Sequence, residues 1–172
     1  MKTFAEHFKG MIMTNEKEDF FIRAEDWERP KLEVLKDQGF KKVGELTRMP
    51  NKWLDGFLNM PPLKNVIYLF VENHKIAKVG RAEDLPDRFY QYDQMTGKWQ
   101  NFNFAVNGSW KTNKVLNTKF KIGTKIEVYA KSFTTSEYSV EILGKKFPFI
   151  VPLHQIEKTI QKFVGKDELL LN

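Results

Sequence analysis

The chain of 172 residues contains no cysteine. This absence excludes disulfide bonds, thiolate catalysis and zinc sites built on cysteine. The three histidines, His7, His74 and His154, lack the spacing of a metal-ligand set. No apolar run is long enough for a transmembrane helix, the N-terminal residues lack the apolar segment of a signal peptide, and phosphate-loop and serine-triad patterns are missing. We therefore expect a cytoplasmic protein that does not associate with membranes.

Residues 65–92 carry a strand, turn, strand and helix in succession. Residues 66–71 are β-branched, aromatic and aliphatic, which is typical of a buried strand, and residues 76–79 form a second apolar segment that Gly80 ends. Asp84 stands where a helix N-cap is expected, with a proline tolerated in the first turn behind it. The sequence therefore predicts a hairpin followed by a short helix.

The order of these residues resembles the GIY-YIG nuclease family, whose core is a tyrosine-bearing strand, a hairpin to a strand ending in glycine, and a helix with an arginine. Val66-Ile67-Tyr68 corresponds to the first motif and Lys78-Val79-Gly80 to the second. Val66 replaces the first-motif glycine, and Lys78 replaces the second-motif tyrosine, as in a restriction-endonuclease branch of the family. The resemblance spans about residues 63–172.

The resemblance implies four site residues and a divalent metal. Tyr68 would be the general base, Lys78 would tune it, Arg88 would hold the phosphate, and Glu157 would bind Mg²⁺ or another divalent ion. Phosphodiester hydrolysis needs a nucleophilic water and neutralisation of charge on the phosphate and the leaving oxygen, so these groups suit the reaction. A tyrosine with a pKa of about 10 is a poor base at neutral pH, but a nearby lysine favours its phenolate.

The turn of the hairpin decides whether Tyr68 and Lys78 meet, because only residues on one face of a strand pair approach each other. A three-residue turn at residues 72–74 would pair them directly. A two-residue turn at residues 73–74 would put them on opposite faces unless a β-bulge compensates. Our hypothesis requires the three-residue turn.

Arg88 and Glu157 each have a second interpretation. A cation is disfavoured in the first turn of a helix, and a bound phosphate would reverse that penalty; the alternative is a surface arginine paired with Asp84 or Asp87. Glu157 lies at the margin of the apolar stripe of a helix predicted over residues 152–164. The alternative for Glu157 is a solvated helix residue.

The net charge of +6 is concentrated in one part of the chain. Residues 98–131 carry seven lysines against one glutamate, whereas residues 1–30 carry five basic and seven acidic side chains. Such a basic stripe suits the backbone of DNA, and the aromatic residues within it are either stacking platforms or core. The predicted DNA-binding residues are Arg81, Lys98, Lys111, Lys114, Lys119 and Lys121. A helix is predicted from Ser109 to about Phe120, and a strand over residues 124–133.

The N-terminal residues 1–62 form a predicted helical region, which residues 60–62, Met-Pro-Pro, separate from a nuclease-like domain over residues 63–172. Residues 30–38 read as a helix stopped by Gly39. Residues 35–54 resemble a helix-hairpin-helix unit, which would hold DNA through backbone amides. The alternative is a helical support for the sheet.

Together these patterns predict an α+β fold with a small, mostly antiparallel sheet flanked by helices. The predicted function is that of a metal-dependent DNA endonuclease of the restriction type, which cuts double-stranded DNA as a homodimer. A monomer that cuts one strand at a time is a second version. The alternative function is a DNA-binding module without turnover, since Val66 and Lys78 depart from the family pattern.

Overall fold

A computed structural model describes residues 22–50, 54–94, 119–133, 139–142, 145–148, 152–165 and 169. The helix predicted from Ser109 lies almost entirely outside these residues, as do Lys98, Lys111 and Lys114. Within the described segments, no helix has the length and apolar character needed to cross a membrane.

The architecture is a sheet with helices on both sides. The main sheet comprises β1 (Lys41–Arg48), β2 (Leu54–Asp55), β3 (Lys64–Glu72), β4 (Lys75–Asp84) and β5 (Lys125–Ser132), in the order β2-β1-β5-β3-β4. Every neighbouring pair is antiparallel. A separate hairpin joins β6 (Ser139–Ile142) and β7 (Lys145–Pro148), and the helices are α1 (Lys31–Asp37), α2 (Leu85–Gln94) and α3 (Leu153–Val164), with 3₁₀ turns at Ala24–Glu28 and Phe57–Asn59. The predicted α+β fold is confirmed.

Strand β3 is buried on both faces, which explains why its sequence is a continuous apolar run. Val66, Tyr68 and Phe70 point to one side, where they pack in one core with Leu85, Phe89 and Tyr92 of α2. The intervening Ile67, Leu69 and Val71 point to the other side and share a second core with α1 and α3, including Ile160, Phe163 and Val164. We refer to these sides as the α2 face and the α3 face. Since side chains alternate along a strand, each position of β3 and β4 is assigned to a face by its register.

The β3–β4 hairpin closes through a two-residue turn, so the predicted three-residue turn is wrong. Asn73 and His74 both have positive φ, 48° and 64°, as in the type I′ turns that match the twist of two strands. Beyond the turn the register shifts by one residue between Phe70 and Val71, which is a β-bulge at Ala77. The bulge returns Lys78 to the α2 face.

The direct pairing predicted for Tyr68 and Lys78 is also wrong. Tyr68 pairs with Gly80, and Lys78 pairs with Phe70. Tyr68 and Lys78 are therefore diagonal neighbours on the same face of the sheet, as the compensated two-residue turn requires. The bulge has the same effect on the face of Lys78 as the longer turn would have had, and no residue pattern in the sequence predicted it.

The helices that border the site begin and end close to their predicted positions. The Oδ1 atom of Asp84 accepts a hydrogen bond of 3.0 Å from the backbone N–H of Asp87, which confirms the predicted cap of α2. Helix α3 matches the prediction over residues 152–164. Helix α1 is followed by Gly39 at a φ of 93°, the left-handed conformation expected of a glycine stop.

The helix-hairpin-helix prediction is wrong, because Lys41–Arg48 is strand β1 rather than helix. β1 pairs with β5, and this pairing buries Leu46 completely. Glu45 and Glu127 stand opposite each other in this pair, and Lys42 lies within 3.3 Å of one and 2.6 Å of the other. Cross-strand contacts of this kind outweigh the helix propensity of lysine, glutamate and leucine. The main sheet therefore contains strands from both sides of residue 62.

Candidate active site

A cleft of about 910 Å³ runs around the edge strand β4. Its walls come from the start of β3, the second half of β4, the first turns of α2 and the start of α3. The four predicted catalytic side chains all line it: Tyr68, Lys78, Arg88 and Glu157. The other lining residues are Asn65, Gly80, Arg81, Ala82, Glu83, Asp84, Asp87, Gln91, Pro152, Leu153 and His154.

Tyr68 is fixed by its surroundings. It is fully buried, its hydroxyl is 2.6 Å from the hydroxyl of Tyr92, and the edge of its ring meets Phe89 at a centroid distance of 5.3 Å. Gly80, its cross-strand partner, makes room for the ring, because a Cβ atom built there would lie 2.3 Å from Cζ of Tyr68. The glycine of the second motif thus has a packing role in this protein.

Gly80→Ala is expected to destabilise the fold by about 1–3 kcal/mol, the usual cost of overpacking a core. The added methyl group would contact the ring of Tyr68, which is fully buried. Gly44→Ala is the matched control, since its Cβ would meet the flexible end of Met60, at 2.5 Å from the terminal methyl, and that end can shift. Urea unfolding of both variants measures the difference. Equal costs for the two substitutions would show that the Tyr68 ring is not held in place.

The pKa of Tyr68 lies well above its ordinary value of 10.0. Burial is the largest cause and the neighbouring Tyr92 adds to it, while the guanidinium of Arg88 opposes the shift. Tyr68 is therefore a neutral phenol at neutral pH. Arg88 is thus a cation that favours the phenolate of Tyr68, and the tuning role of Lys78 stays a prediction.

Arg88 lies over the ring of Tyr92, with Cζ 5.1 Å from the ring centroid, and its Nη1 donates to Gln91 Oε1 at 3.2 Å. Burial disfavours its charge, but the phenol oxygens of Tyr92 and Tyr68 outweigh that effect and raise its pKa. Its buried Nε has no hydrogen-bond acceptor in the part of the chain that the structure describes.

The alternative interpretation of Arg88 as a paired surface residue does not hold. Across the described segments it forms no ion pair with Asp84, Asp87 or any other carboxylate. An unsatisfied buried donor costs about 1–3 kcal/mol, and a phosphate oxygen would remove that cost. The guanidinium of Arg88 therefore carries a charge that no described carboxylate neutralises.

Glu157 reaches the cleft from the other side of the sheet. Its Oε2 lies 3.3 Å from Nε of Arg81 and 3.9 Å from Nδ1 of His154, and its side chain is only 17% exposed. Arg81 pairs with Ile67 and so projects to the α3 face, whereas Tyr68 projects to the α2 face. The cleft therefore joins the carboxylate and the phenol around the edge of β4 rather than across one face.

The donors available for a metal ion are few. Among the residues described, no group of three carboxylate, histidine or cysteine side chains comes together. Glu157 offers one carboxylate with an imidazole beside it, which fits a hard cation such as Mg²⁺ that keeps several of its waters. Arg81 already occupies one oxygen of this carboxylate, so an ion binding there competes with the guanidinium.

The predicted DNA-binding residues fall into three groups. Arg81 lines the cleft. Lys119 and Lys121 are exposed on either side of the buried Phe120, before the start of β5, and neither lines the cleft. The remaining three lysines lie outside the described residues. Of the three predicted residues that the structure describes, Arg81 alone lines the candidate site.

Two residues of the site had no predicted role. Tyr92 lies one helical turn after Arg88, a spacing that brings two side chains together on a helix. That spacing was the available signal, but Tyr92 reads equally well as core. Asn65 precedes the first motif and lines the cleft in a left-handed backbone conformation, with a φ of 49°, that its sequence context did not indicate.

Comparison with solved structures finds chains that this protein resembles. A mutant of bacteriophage T4 EndoII matches with a TM-score of 0.55 and 20% identity, over 77% of this chain and 92% of that chain. Restriction endonuclease HPY188I in complex with product DNA matches with a TM-score of 0.45 and 20% identity, over 88% of this chain and 89% of that one. No protein-family model and no curated protein matches the sequence. The chain shares its fold with EndoII.

Proposed function

We propose that this protein is a DNA endonuclease that hydrolyses phosphodiester bonds with the help of a divalent metal ion. Mg²⁺ is the ion to be tested first. The observation that carries the proposal is the meeting of a phenol, two cations and a carboxylate, Tyr68, Lys78, Arg88 and Glu157, along one cleft. The fold shared with EndoII supports it. Electrostatic stabilisation and positioning dominate phosphoryl chemistry, and these groups supply both.

In this proposal Arg88 binds the scissile phosphate. Its Nε is a donor without an acceptor, and its guanidinium presents several N–H groups in a plane that matches phosphate oxygens. Lys78, half-buried on the same face as Tyr68, adds a second positive charge to that side of the cleft. The two cations together favour the charge that develops on the phosphate as the bond breaks.

Tyr68 would accept the proton of the attacking water at its phenol oxygen, and Tyr92 would hold that oxygen in place through the 2.6 Å hydrogen bond. Because its pKa is raised, Tyr68 must first lose its own proton to solvent, and the charge of Arg88 favours the phenolate that results. Glu157, with His154 beside it, would hold the metal ion. A hydrated Mg²⁺ there would neutralise charge on the phosphate and the departing oxygen.

The favoured form of this activity is site-specific cleavage of double-stranded DNA by a homodimer, as in restriction enzymes. A second candidate is a DNA-binding module without turnover. Two observations favour that candidate: the ion pair between Arg81 and Glu157 occupies the carboxylate, and the pKa of Tyr68 keeps its phenol neutral. The two candidates differ in whether bound DNA is cut.

Incubation with supercoiled plasmid tests the proposal. The wild-type protein is expected to produce nicked and linear DNA with Mg²⁺ and neither product with a chelator. Glu157→Gln is expected to lose activity that high Mg²⁺ partly restores, because the amide is a weaker ligand than the carboxylate. Glu28→Gln, which changes an exposed glutamate outside this cleft, is the matched control.

Binding of the plasmid without cleavage by the wild-type protein would favour the binding module over the nuclease. Undiminished cleavage by Glu157→Gln would refute the assignment of the metal to this carboxylate. Cleavage that persists with a chelator would refute metal dependence itself.

A further inference from the structure

Asn65 has a backbone conformation that glycine adopts most easily. Its φ is 49°, in the left-handed region, where a side chain normally costs free energy and asparagine is among the better tolerated. Lys64 and Val66 on either side of it pair with β4, whereas Asn65 does not. Its carbonyl accepts a hydrogen bond of 2.8 Å from the backbone N–H of Phe133. The surrounding sheet thus holds the residue in this conformation.

Asn65 lines the cleft together with the cations. It is half-buried and lines the same walls as Lys78, Arg81 and Arg88. Its amide makes no hydrogen bond to any residue that the structure describes. The position therefore combines a conformation that suits glycine with a side chain that carries two N–H donors and one carbonyl acceptor. Strained residues of this kind concentrate at functional sites.

We propose that Asn65 contacts the substrate, with its amide N–H donating to a non-bridging phosphate oxygen of the DNA strand in the cleft. This inference rests on the proposed function. The cations of the cleft supply attraction for the sugar-phosphate backbone, and a neutral amide at a fixed backbone position sets the register of the strand relative to Tyr68. The lining also carries the carboxylates of Glu83, Asp84, Asp87 and Glu157, and Glu157 is paired with Arg81. Lys78 and Arg88 pair with no carboxylate among the described residues, so these two cations favour a phosphate oxygen as the acceptor.

Replacement by glycine separates this role from a structural one. Asn65→Gly removes the amide and relieves the left-handed backbone, so the free energy of unfolding is expected to be unchanged or raised. Affinity for a duplex, measured by fluorescence anisotropy with Ca²⁺ in place of Mg²⁺, is expected to fall about tenfold, as for one lost hydrogen bond to a charged group. The salt dependence of binding is expected to stay the same, because an amide releases no counterions.

Asn73→Gly is the matched control. Asn73 has nearly the same φ, 48°, but lies in the β3–β4 turn outside the cleft. Its replacement is expected to leave affinity and cleavage at the wild-type level. Asn65→Asp, which keeps the shape but replaces the N–H donors by a negative charge, is expected to weaken binding more than Asn65→Gly does.

Equal affinity of Asn65→Gly and Asn73→Gly would overturn the inference, and DNA cleavage by the wild type would then leave the proposed function intact. A loss confined to duplexes of one sequence would show that Asn65 reads a base edge, which overturns the assignment to phosphate. If the wild type binds no DNA, the proposed function falls and this inference falls with it.

Discussion

Arg88→Met is expected to reduce the rate of DNA cleavage by about 10³, the upper range for removal of one preorganised charge-stabilising group. Arg88 is placed near the N-terminus of α2, where the helix dipole disfavours a cation, and its Nε is buried without an acceptor among the described residues. Methionine keeps an apolar stem of similar length but loses the contact of the guanidinium with Tyr92 and its hydrogen bond to Gln91. The loss of these contacts and the relief of the unsatisfied Nε and of the helix dipole oppose each other, so the free energy of unfolding is expected to change by no more than about 1 kcal/mol.

Single-turnover cleavage with excess enzyme and urea unfolding of the same protein test both parts of this prediction. Arg88→Lys is expected to recover only part of the activity, because a lysine keeps the charge but lacks the planar fork. Arg23→Met, which changes an exposed arginine outside the cleft, is the control. A variant that loses stability while it keeps full cleavage would mean that Arg88 is a structural residue.

Elements with a strong local signal were predicted correctly. The apolar run of β3, the apolar stripe of α3 and the cap at Asp84 each depend on residues within one segment, and the structure has all three close to the expected bounds. β5 was also expected, because Ile126, Val128 and Ala130 alternate along it and are buried. The local sequence pattern was sufficient to predict an element wherever the residues of its buried face lie within one segment of the chain.

The β3–β4 register was not predictable from the same information. The turn residues Asn73 and His74 allow more than one turn length, and the bulge at Ala77 leaves both Ala77 and Lys78 on the α2 face. A one-residue shift reverses the face of every later side chain, so the position of Lys78 depends on this bulge. The sequence predicted that Tyr68 and Lys78 lie on neighbouring strands, and the pairing of β3 with β4 determines how the two side chains are placed relative to each other.

The prediction for the residues of β1 was wrong for a different reason, because their local composition favours a helix. Its lysines, glutamate and leucine favour a helix, but only Leu46 is fully buried, and the strand is held by pairing with β5, some eighty residues later. Tertiary pairing of this kind overrides propensity. Prediction of the candidate site was limited in the same way, because local sequence does not report long-range contacts. The four predicted residues follow from the order of the motifs. The positive φ of Asn65 and the contact between Tyr92 and Tyr68 are seen only in the structure.

Tyr68→Phe is expected to reduce cleavage by about 10²–10⁴, the range for loss of a general base. The pH profile identifies the cause. Because the pKa of Tyr68 lies well above 10.0, the phenolate fraction of the wild type should rise about tenfold for each pH unit, and cleavage with it, without a plateau up to pH 9. Tyr68→Phe is expected to lose this slope. Tyr90→Phe, on an exposed side chain of the same helix as Tyr92, should keep it.

Stability and pH give an independent test of the same side chain, with the opposite sign. A folded-state pKa above the unfolded value means that burial of the neutral phenol stabilises the fold below about pH 10 and that this contribution is lost as the pH rises further. The wild type should therefore lose more unfolding free energy between pH 9 and pH 11 than Tyr68→Phe does, because phenylalanine has no proton to lose. A plateau of wild-type cleavage near neutral pH, together with equal alkaline stability of the two proteins, would show that another group is the base.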